Sequence, residues 1–237
     1  MATAGRHAGR VAAGPGLIRL GRVDLFAGIS PARLAWLEER LPVVRWIYGG
    51  PRPVELGAAE HLFVVREGRL ALFETAASGH LVMIAVLDPG AIYTTLGGEP
   101  APRIDALEDV AVSPIPVAAV EALARREPRL TRNLAEAFTE RIAMLRATAA
   151  VLAEMRVEDR LRARLLQLGE RFGAATPAGV RLDLGLTHAQ WGLLVGAARE
   201  SVTLALGRLR TRGEIAVDGR TITIHWETVR GQAPRPV

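Results

Sequence analysis

The stretch LTHAQWGLLVGAARESV, residues 186–202, decides the fold. Thr187 is followed three residues later by Gln190, which is the pattern of a capping box, so a helix should start there and run to about Val195. Gly196-Ala197-Ala198 reads as a tight turn. A second helix follows from Arg199 to about Arg212, with Val202, Leu206 and Leu209 spaced to face inward and Gly213 to stop it. Ile215-Ala216-Val217 and Thr221-Ile222-Thr223-Ile224 flank Asp218-Gly219, a pair that predicts a hairpin with a type I′ turn. Helix, glycine turn, helix and hairpin in this order describe a winged helix-turn-helix.

The chemistry along this stretch suits DNA. Arg199 and Glu200 fall in the first turn of the second helix, the part that enters a major groove. Arginine can bridge guanine O6 and N7, and glutamate can accept from cytosine N4. Thr187, His188, Ser201 and Thr203 are polar groups placed to touch bases or phosphates, and Arg208 and, on the wing, Arg220 are phosphate candidates.

Upstream the texture changes twice. Residues 1–22, rich in Gly, Ala and Arg, read as a loose extension, and Ser30-Pro31 opens a short helix carrying Leu34, Leu37 and Leu41. From about Val43 to Ile115, apolar runs such as Leu62-Phe63-Val64-Val65 and Leu81–Leu87 are separated by Glu67-Gly68, Ser78-Gly79 and Asp88-Pro89-Gly90. Short strands at close spacing predict an all-β roll. A helix at Val117–Leu123 precedes a much longer one opened by Pro128, along which Leu134, Phe138, Ile142, Leu145, Ala149 and Leu152 recur at spacings of 4, 4, 3, 4 and 3. A core helix of a monomer would show the same stripe; its length and near-heptad spacing favour a coiled-coil dimer seam. After a break near Arg156, Leu161, Leu165, Leu168 and Phe172 mark another helix that Gly173 ends.

Composition narrows the function. The 237 residues contain no cysteine, which excludes thiolate-held iron–sulfur clusters, Cys-ligated zinc and Cys nucleophiles. There is no lysine either, so all thirty fixed side-chain cations are arginines. Residues 1–156 carry a net charge of +1 and residues 157–237 a net charge of +4, which places the basic excess in the C-terminal third. Neither a membrane-spanning apolar run nor a compact signal-peptide core is evident, so a cytoplasmic protein without a membrane partner is expected. His61 and His80 are too isolated to form the ligand cluster of a metal-dependent β-barrel enzyme, and no Ser/His/Asp set, Walker loop or dinucleotide fingerprint appears.

With these residues in place, the chain from about residue 23 to 229 resembles the CRP/FNR family of bacterial transcription regulators. Leu186–Gln190, Gly196–Val202 and Gly213-Glu214-Ile215 look like that family's helix-turn-helix signature. Leu25-Phe26, Glu67-Gly68-Arg69 and Leu87-Asp88-Pro89-Gly90 look like landmarks of its cyclic-nucleotide-binding-type β-roll, and Ala106-Leu107-Glu108-Asp109 is similar to the stretch after its phosphate cassette. The resemblance implies an α+β chain: a loose N-terminal extension (1–22), a β-roll effector domain (23–127), a long dimerisation helix (128–156) and a winged helix-turn-helix domain (157–237). It implies a homodimer on a palindromic operator of double-stranded DNA, admits RNA polymerase as a further partner, and implies no enzymatic activity.

Departures from the family pattern bear on the effector. Where cyclic-nucleotide members carry Phe-Gly-Glu-Leu, this chain has Tyr93-Thr94-Thr95-Leu96, so Thr94 replaces the glycine and Thr95 the ribose-binding glutamate. Pro100-Ala101 stand where Arg-Ser would be, and Arg103 is out of register by three. The adenine-contacting hydroxyl positions on the long helix align with Leu145 and Arg146. A cyclic phosphate needs a cation and a ribose needs an acceptor, so cyclic AMP is not the expected effector. Iron–sulfur sensing is excluded by the missing cysteines. Haem sensing is a minority alternative, because the family's carbon monoxide sensors place a histidine where this chain has Leu96. A small apolar effector, or constitutive DNA binding with a degenerate roll, stays open. On the second helix of the motif, Leu204 occupies a position where family members carry arginine, which removes one guanine contact and offers a thymine methyl instead.

Overall fold

The computed structural model describes residues 17–48, 53–54, 60–94 and 102–225. Contacts divide the chain into two compact units, with boundaries after Glu74, Ile84 and Met144. The stretch before Glu74 and Ala85–Met144 form one unit, while Thr75–Ile84 joins Leu145 onward in the other.

The expected roll lies in the first unit apart from its Thr75–Ile84 hairpin, which groups with the second. Pro31 opens helix α1 (Pro31–Arg40), where its fixed φ suits the first helical position. Strands β1 (Val44–Trp46), β2 (His61–Glu67), β3 (Leu70–Thr75), β4 (Leu81–Leu87), β5 (Ile92–Thr94), β6 (Arg103–Ala106) and β7 (Val110–Pro116) follow. They form one sheet in the order β1-β7-β2-β5 and another in the order β4-β3-β6. Helix α2 (Val117–Arg126) and the long helix α3 (Pro128–Ala153) come next. Leu62 and Val64 on β2 share a buried cluster with Leu20, Phe26, Leu34, Ile115 and Leu130. Fully burying side chains of this size contributes about 1.5–3 kcal/mol each.

Two sequence landmarks of the roll meet in space. The Cβ of any other residue at Gly68 would lie 2.0 Å from the Asp109 carbonyl oxygen, and φ there is +72°, so only glycine fits. Beside it, Arg69 donates to both carboxylate oxygens of Glu108 at 2.7 and 3.2 Å. Glu67-Gly68-Arg69 and Leu107-Glu108-Asp109 are therefore two halves of one clip.

The second unit contains α4 (Val157–Phe172), β8 (Ala174–Thr176), β9 (Gly179–Leu182), α5 (His188–Val195), α6 (Arg199–Thr211), β10 (Ile215–Asp218) and β11 (Thr221–Ile224). Its strands form a sheet in the order β10-β11-β9-β8. Leu161 and Leu165 from α4, Trp191 and Leu194 from α5, and Val202 and Leu209 from α6 are buried with Ile222 and Ile224. The β8–β9 hairpin was not expected from the sequence. It widens the wing into four strands, with β9 pairing β11 from Leu182 against Ile222 to Val180 against Ile224.

The turn of the β10–β11 hairpin corrects the expected type I′ geometry. Asp218 pairs with Thr221, so the two central residues are Gly219 and Arg220 rather than Asp218 and Gly219. Gly219 has φ +58°, but no non-glycine described residue has a positive φ. A type I′ turn needs positive φ at both central positions, which would strain Arg220.

Along α3 the predicted stripe is unevenly buried. Phe138, Ile142 and Leu145 are 42%, 58% and 38% exposed, and Ala149 is exposed as well. Leu134 is half-buried against the first unit's core, and Leu152 is half-buried, its Cδ2 3.3 Å from where a Cβ at Gly196 would sit. Leu130, Thr148 and Val151 lie on the helix's buried side. A single chain thus leaves the middle of the stripe uncovered. No described helix is long and apolar enough to cross a membrane.

Candidate nucleic-acid interface

Thr187 caps α5 as its sequence predicts. Its hydroxyl accepts from the Gln190 amide at 3.2 Å, and the Gln190 side chain accepts from the Thr187 amide at 2.8 Å. The Thr187 hydroxyl also donates to Gln190 Oε1 at 2.9 Å, so this group is occupied in holding the helix start. At the other end Gly196 takes the left-handed conformation with φ +59°. Inside the helix, a Cβ at Gly192 would fall 2.4 Å from the Ala197 carbonyl oxygen, so glycine allows the turn to pack against α5.

Helix α6 buries Val202, Ala205, Leu206 and Leu209. Positions 200, 204, 207 and 211 follow the i, i+4, i+7, i+11 spacing of one face, the face opposite the core. Glu200, Leu204 and Thr211 on it are exposed, Leu204 by 64%. Arg199 and Thr203 flank that face and are exposed too. The N-cap residue, Ala198, has no capping side chain, which leaves the first-turn amides of α6 for an external acceptor.

His188 and Thr203 join the two helices. His188 Nδ1 lies 2.9 Å from Thr203 Oγ1, and that hydroxyl donates to the Arg199 carbonyl at 2.9 Å. His188, Arg199 and Arg220 line one groove of about 450 Å³ between the start of α5, the start of α6 and the wing turn. A second groove, of about 530 Å³, is lined by Arg156, Ser201, Leu204 and Arg208. The structure therefore brings Thr187, His188, Arg199 and Arg220 together, and Ser201 with Arg208 on the other flank. Arg208 is 3.9 Å from Glu158, although its side chain is 67% exposed.

Much of the basic excess is used inside the fold. Arg162 donates to both oxygens of Glu214, at 2.7 and 3.1 Å, and to Asp159 at 2.6 Å, and Glu214 is fully buried. The hydrogen bond to Glu214 holds the Arg162 guanidinium well above its ordinary range. Arg212 pairs with Glu158 and lies 3.7 Å from Glu214. Arg160 donates to the carbonyls of Val195 and Gly196 at 2.8 and 3.0 Å, closing the C-terminus of α5. Arg164, 5% exposed, donates to Thr148, Gln167 and the Leu194 carbonyl; burial pushes its guanidinium down to about 10. A tally of charge along the sequence counts these guanidinium groups as surface; only their long-range partners show otherwise.

In the roll, Tyr93 and Thr94 lie on β5 opposite Phe63 and Leu62. The Tyr93 ring stacks on Phe63 at 6.4 Å, and burial, then the nearby Glu74 charge, raise its phenol above the ordinary value. Thr95 and Leu96 lie outside the described residues. Arg103 donates to both oxygens of Asp105 at 2.8 Å, which raises the guanidinium further, and Asp105 is 5% exposed. Leu145 and Arg146 are exposed on α3. His61 packs against Phe63 at 5.8 Å, and His80 is exposed in the hairpin between β3 and β4. Among the described residues no cluster of three or more His, Asp or Glu side chains could hold a metal ion.

Comparison with known proteins agrees with this geometry. Residues 159–227 match the Crp-like helix-turn-helix domain. The findings support a transcription regulator of CRP/FNR type, the family whose members this chain is similar to. A CRP-like cAMP-activated global transcriptional regulator of Mycobacterium tuberculosis is 25% identical over 209 residues, covering 86% of this chain and 93% of that one. The global nitrogen regulator of a Synechocystis strain is 28% identical over 173 residues, covering 70% and 77%. The fold is also that of a CooA mutant from Carboxydothermus hydrogenoformans, with a TM-score of 0.72 at 20% identity over 90% of this chain and 94% of that one. As a CRP/FNR-type regulator this chain binds DNA, and its relatives are regulators rather than enzymes.

Proposed function

We propose that the protein is a homodimer that reads a palindromic operator by placing α6 of each protomer in the major groove. The observation that carries this is the solvent face of α6, where Arg199, Glu200, Thr203 and Leu204 stand exposed beside a cationic groove shared with the wing. Arg199 and Glu200 supply the guanine and cytosine contacts, Leu204 a surface for a thymine methyl, and Arg208 and Arg220 phosphate contacts. Thr187 acts through the capping box, positioning the start of α5. The exposed run Phe138, Ile142, Leu145 and Ala149 supports dimerisation through α3, with Leu134 and Leu152 at its ends. Half-sites about one helical turn apart follow from a two-fold dimer. Selection from a randomised duplex library tests this reading: an enriched inverted repeat is expected, and no enrichment overturns it.

The Mycobacterium relative is cAMP-activated. In this chain, we infer, the roll does not use cyclic AMP. Arg103, the arginine nearest the cassette in sequence, already has Asp105 as a bidentate partner, and a phosphate would have to compete with a buried carboxylate for it. Operator affinity measured with and without saturating cyclic AMP should be unchanged. A rise of tenfold or more would return the roll to the cyclic-nucleotide class.

A further inference from the structure

We propose that His188 and Arg220 form a proton-dependent seat for one DNA phosphate, so that each protomer takes up a proton at His188 when it binds DNA. The inference rests on the DNA-binding reading above and names a regulatory property of that surface.

The hydrogen bonds fix which ring nitrogen faces the groove chemistry. Thr203 has one hydroxyl proton, and it is donated to the Arg199 carbonyl at 2.9 Å. The 2.9 Å contact between Thr203 Oγ1 and His188 Nδ1 is therefore a hydrogen bond only if Nδ1 carries a proton. That leaves Nε2, which no described residue engages, as the remaining functional atom of the ring. In the neutral imidazole Nε2 is a lone-pair acceptor, and a phosphate oxygen set against it is repelled. In the imidazolium both nitrogens are donors, so the Thr203 contact is kept and Nε2 gains a proton to offer.

The surroundings select for an anion. The groove is shared by three elements, and each brings a cation or a residue able to become one: His188 from α5, Arg199 from α6 and Arg220 from the turn between β10 and β11. No carboxylate lines it, and α5 contains no other titratable side chain. A phosphate held by the Arg220 guanidinium favours a second positive charge at His188, while Arg199 keeps to its base contact. Imidazole is the side chain whose charge ordinarily changes between about pH 5 and 8.

The test uses the full-length protein and a fluorescein-labelled duplex of mixed sequence at low ionic strength, because a phosphate contact needs no particular operator. Wild type should tighten by about tenfold or more between about pH 8 and pH 6, with a log-affinity against log-salt slope steeper by about 0.9 per protomer at the lower pH. His188→Gln should lose both the tightening and the change in slope. His188→Arg should bind tightly, with the steep slope, at both pH values, which a merely structural role for the imidazole would not produce. Equal pH dependence in wild type and His188→Gln overturns the proton seat while leaving DNA binding intact. Failure of the wild type to bind the duplex at any pH overturns the DNA-binding reading itself.

Discussion

Arg162 and Arg164 sit two residues apart on α4 and are both nearly buried, yet replacing each by methionine should have very unequal consequences. Arg162→Met removes the bidentate partner of Glu214, a carboxylate with no exposure, and leaves it only Arg212 at 3.7 Å. Stranding a buried charge in this way costs about 3–5 kcal/mol. Among the described residues Arg164 has no carboxylate partner; its donors meet Thr148, Gln167 and the Leu194 carbonyl. Its displacement from 12.5 to about 10 by burial corresponds to a penalty of about 3 kcal/mol on the charged form. Its three hydrogen bonds to neutral acceptors, one of them 3.3 Å long, contribute about 1 kcal/mol each and roughly offset it. Methionine has a similar unbranched stem, so Arg164→Met should change stability by no more than about 1–2 kcal/mol. Urea unfolding followed by circular dichroism reads the difference directly, and the Arg162→Met melting temperature should drop by on the order of 10 °C. Similar losses in the two variants would refute the claim that the Glu214 partnership, rather than burial of a guanidinium as such, holds this unit together.

Arg199→Ala should weaken binding to the selected operator by about 1–3 kcal/mol and relax preference at one base pair; an equal loss on operator and mixed-sequence DNA would remove it from base reading. Leu204→Arg should shift the preference at the neighbouring position toward guanine in a repeated library selection, and an unchanged motif would count against α6 lying in the major groove. Ile142→Glu puts a charge in the middle of the exposed α3 stripe, so light scattering should report a monomer at micromolar concentration; a persistent dimer would move the interface elsewhere. Gly192→Ala should destabilise by about 1–3 kcal/mol, since the added methyl would sit 2.4 Å from the Ala197 carbonyl oxygen; a melting curve like that of wild type would show that the turn yields.

The reading head was legible in the sequence because its signals are local. A capping box, a left-handed glycine and a 3.6-residue apolar period each lie within a few residues, and α5 and α6 start where Thr187 and Arg199 indicate. The β8–β9 hairpin also has a local signal, Pro177-Ala178-Gly179 between short apolar runs, but its strands are too short for periodicity to speak. What the sequence hides is partnership at long range. Nothing near Arg208 or Arg212 points to Glu158 some fifty residues earlier. The wing turn slipped by one residue because register is set by the paired strands rather than by the Asp-Gly pair itself.

The placement of Thr75–Ile84 among the C-terminal residues has a practical meaning for dissecting this regulator. Thr148, on α3, donates to the Ile84 carbonyl while accepting from Arg164, so a fragment begun at residue 145 would lose that tie to the hairpin. No single cut yields both halves whole. A chimera that exchanged whole units between regulators would need three splice points rather than one, carrying the hairpin tip along with the C-terminal residues. For this chain, modularity runs through space and not along the gene.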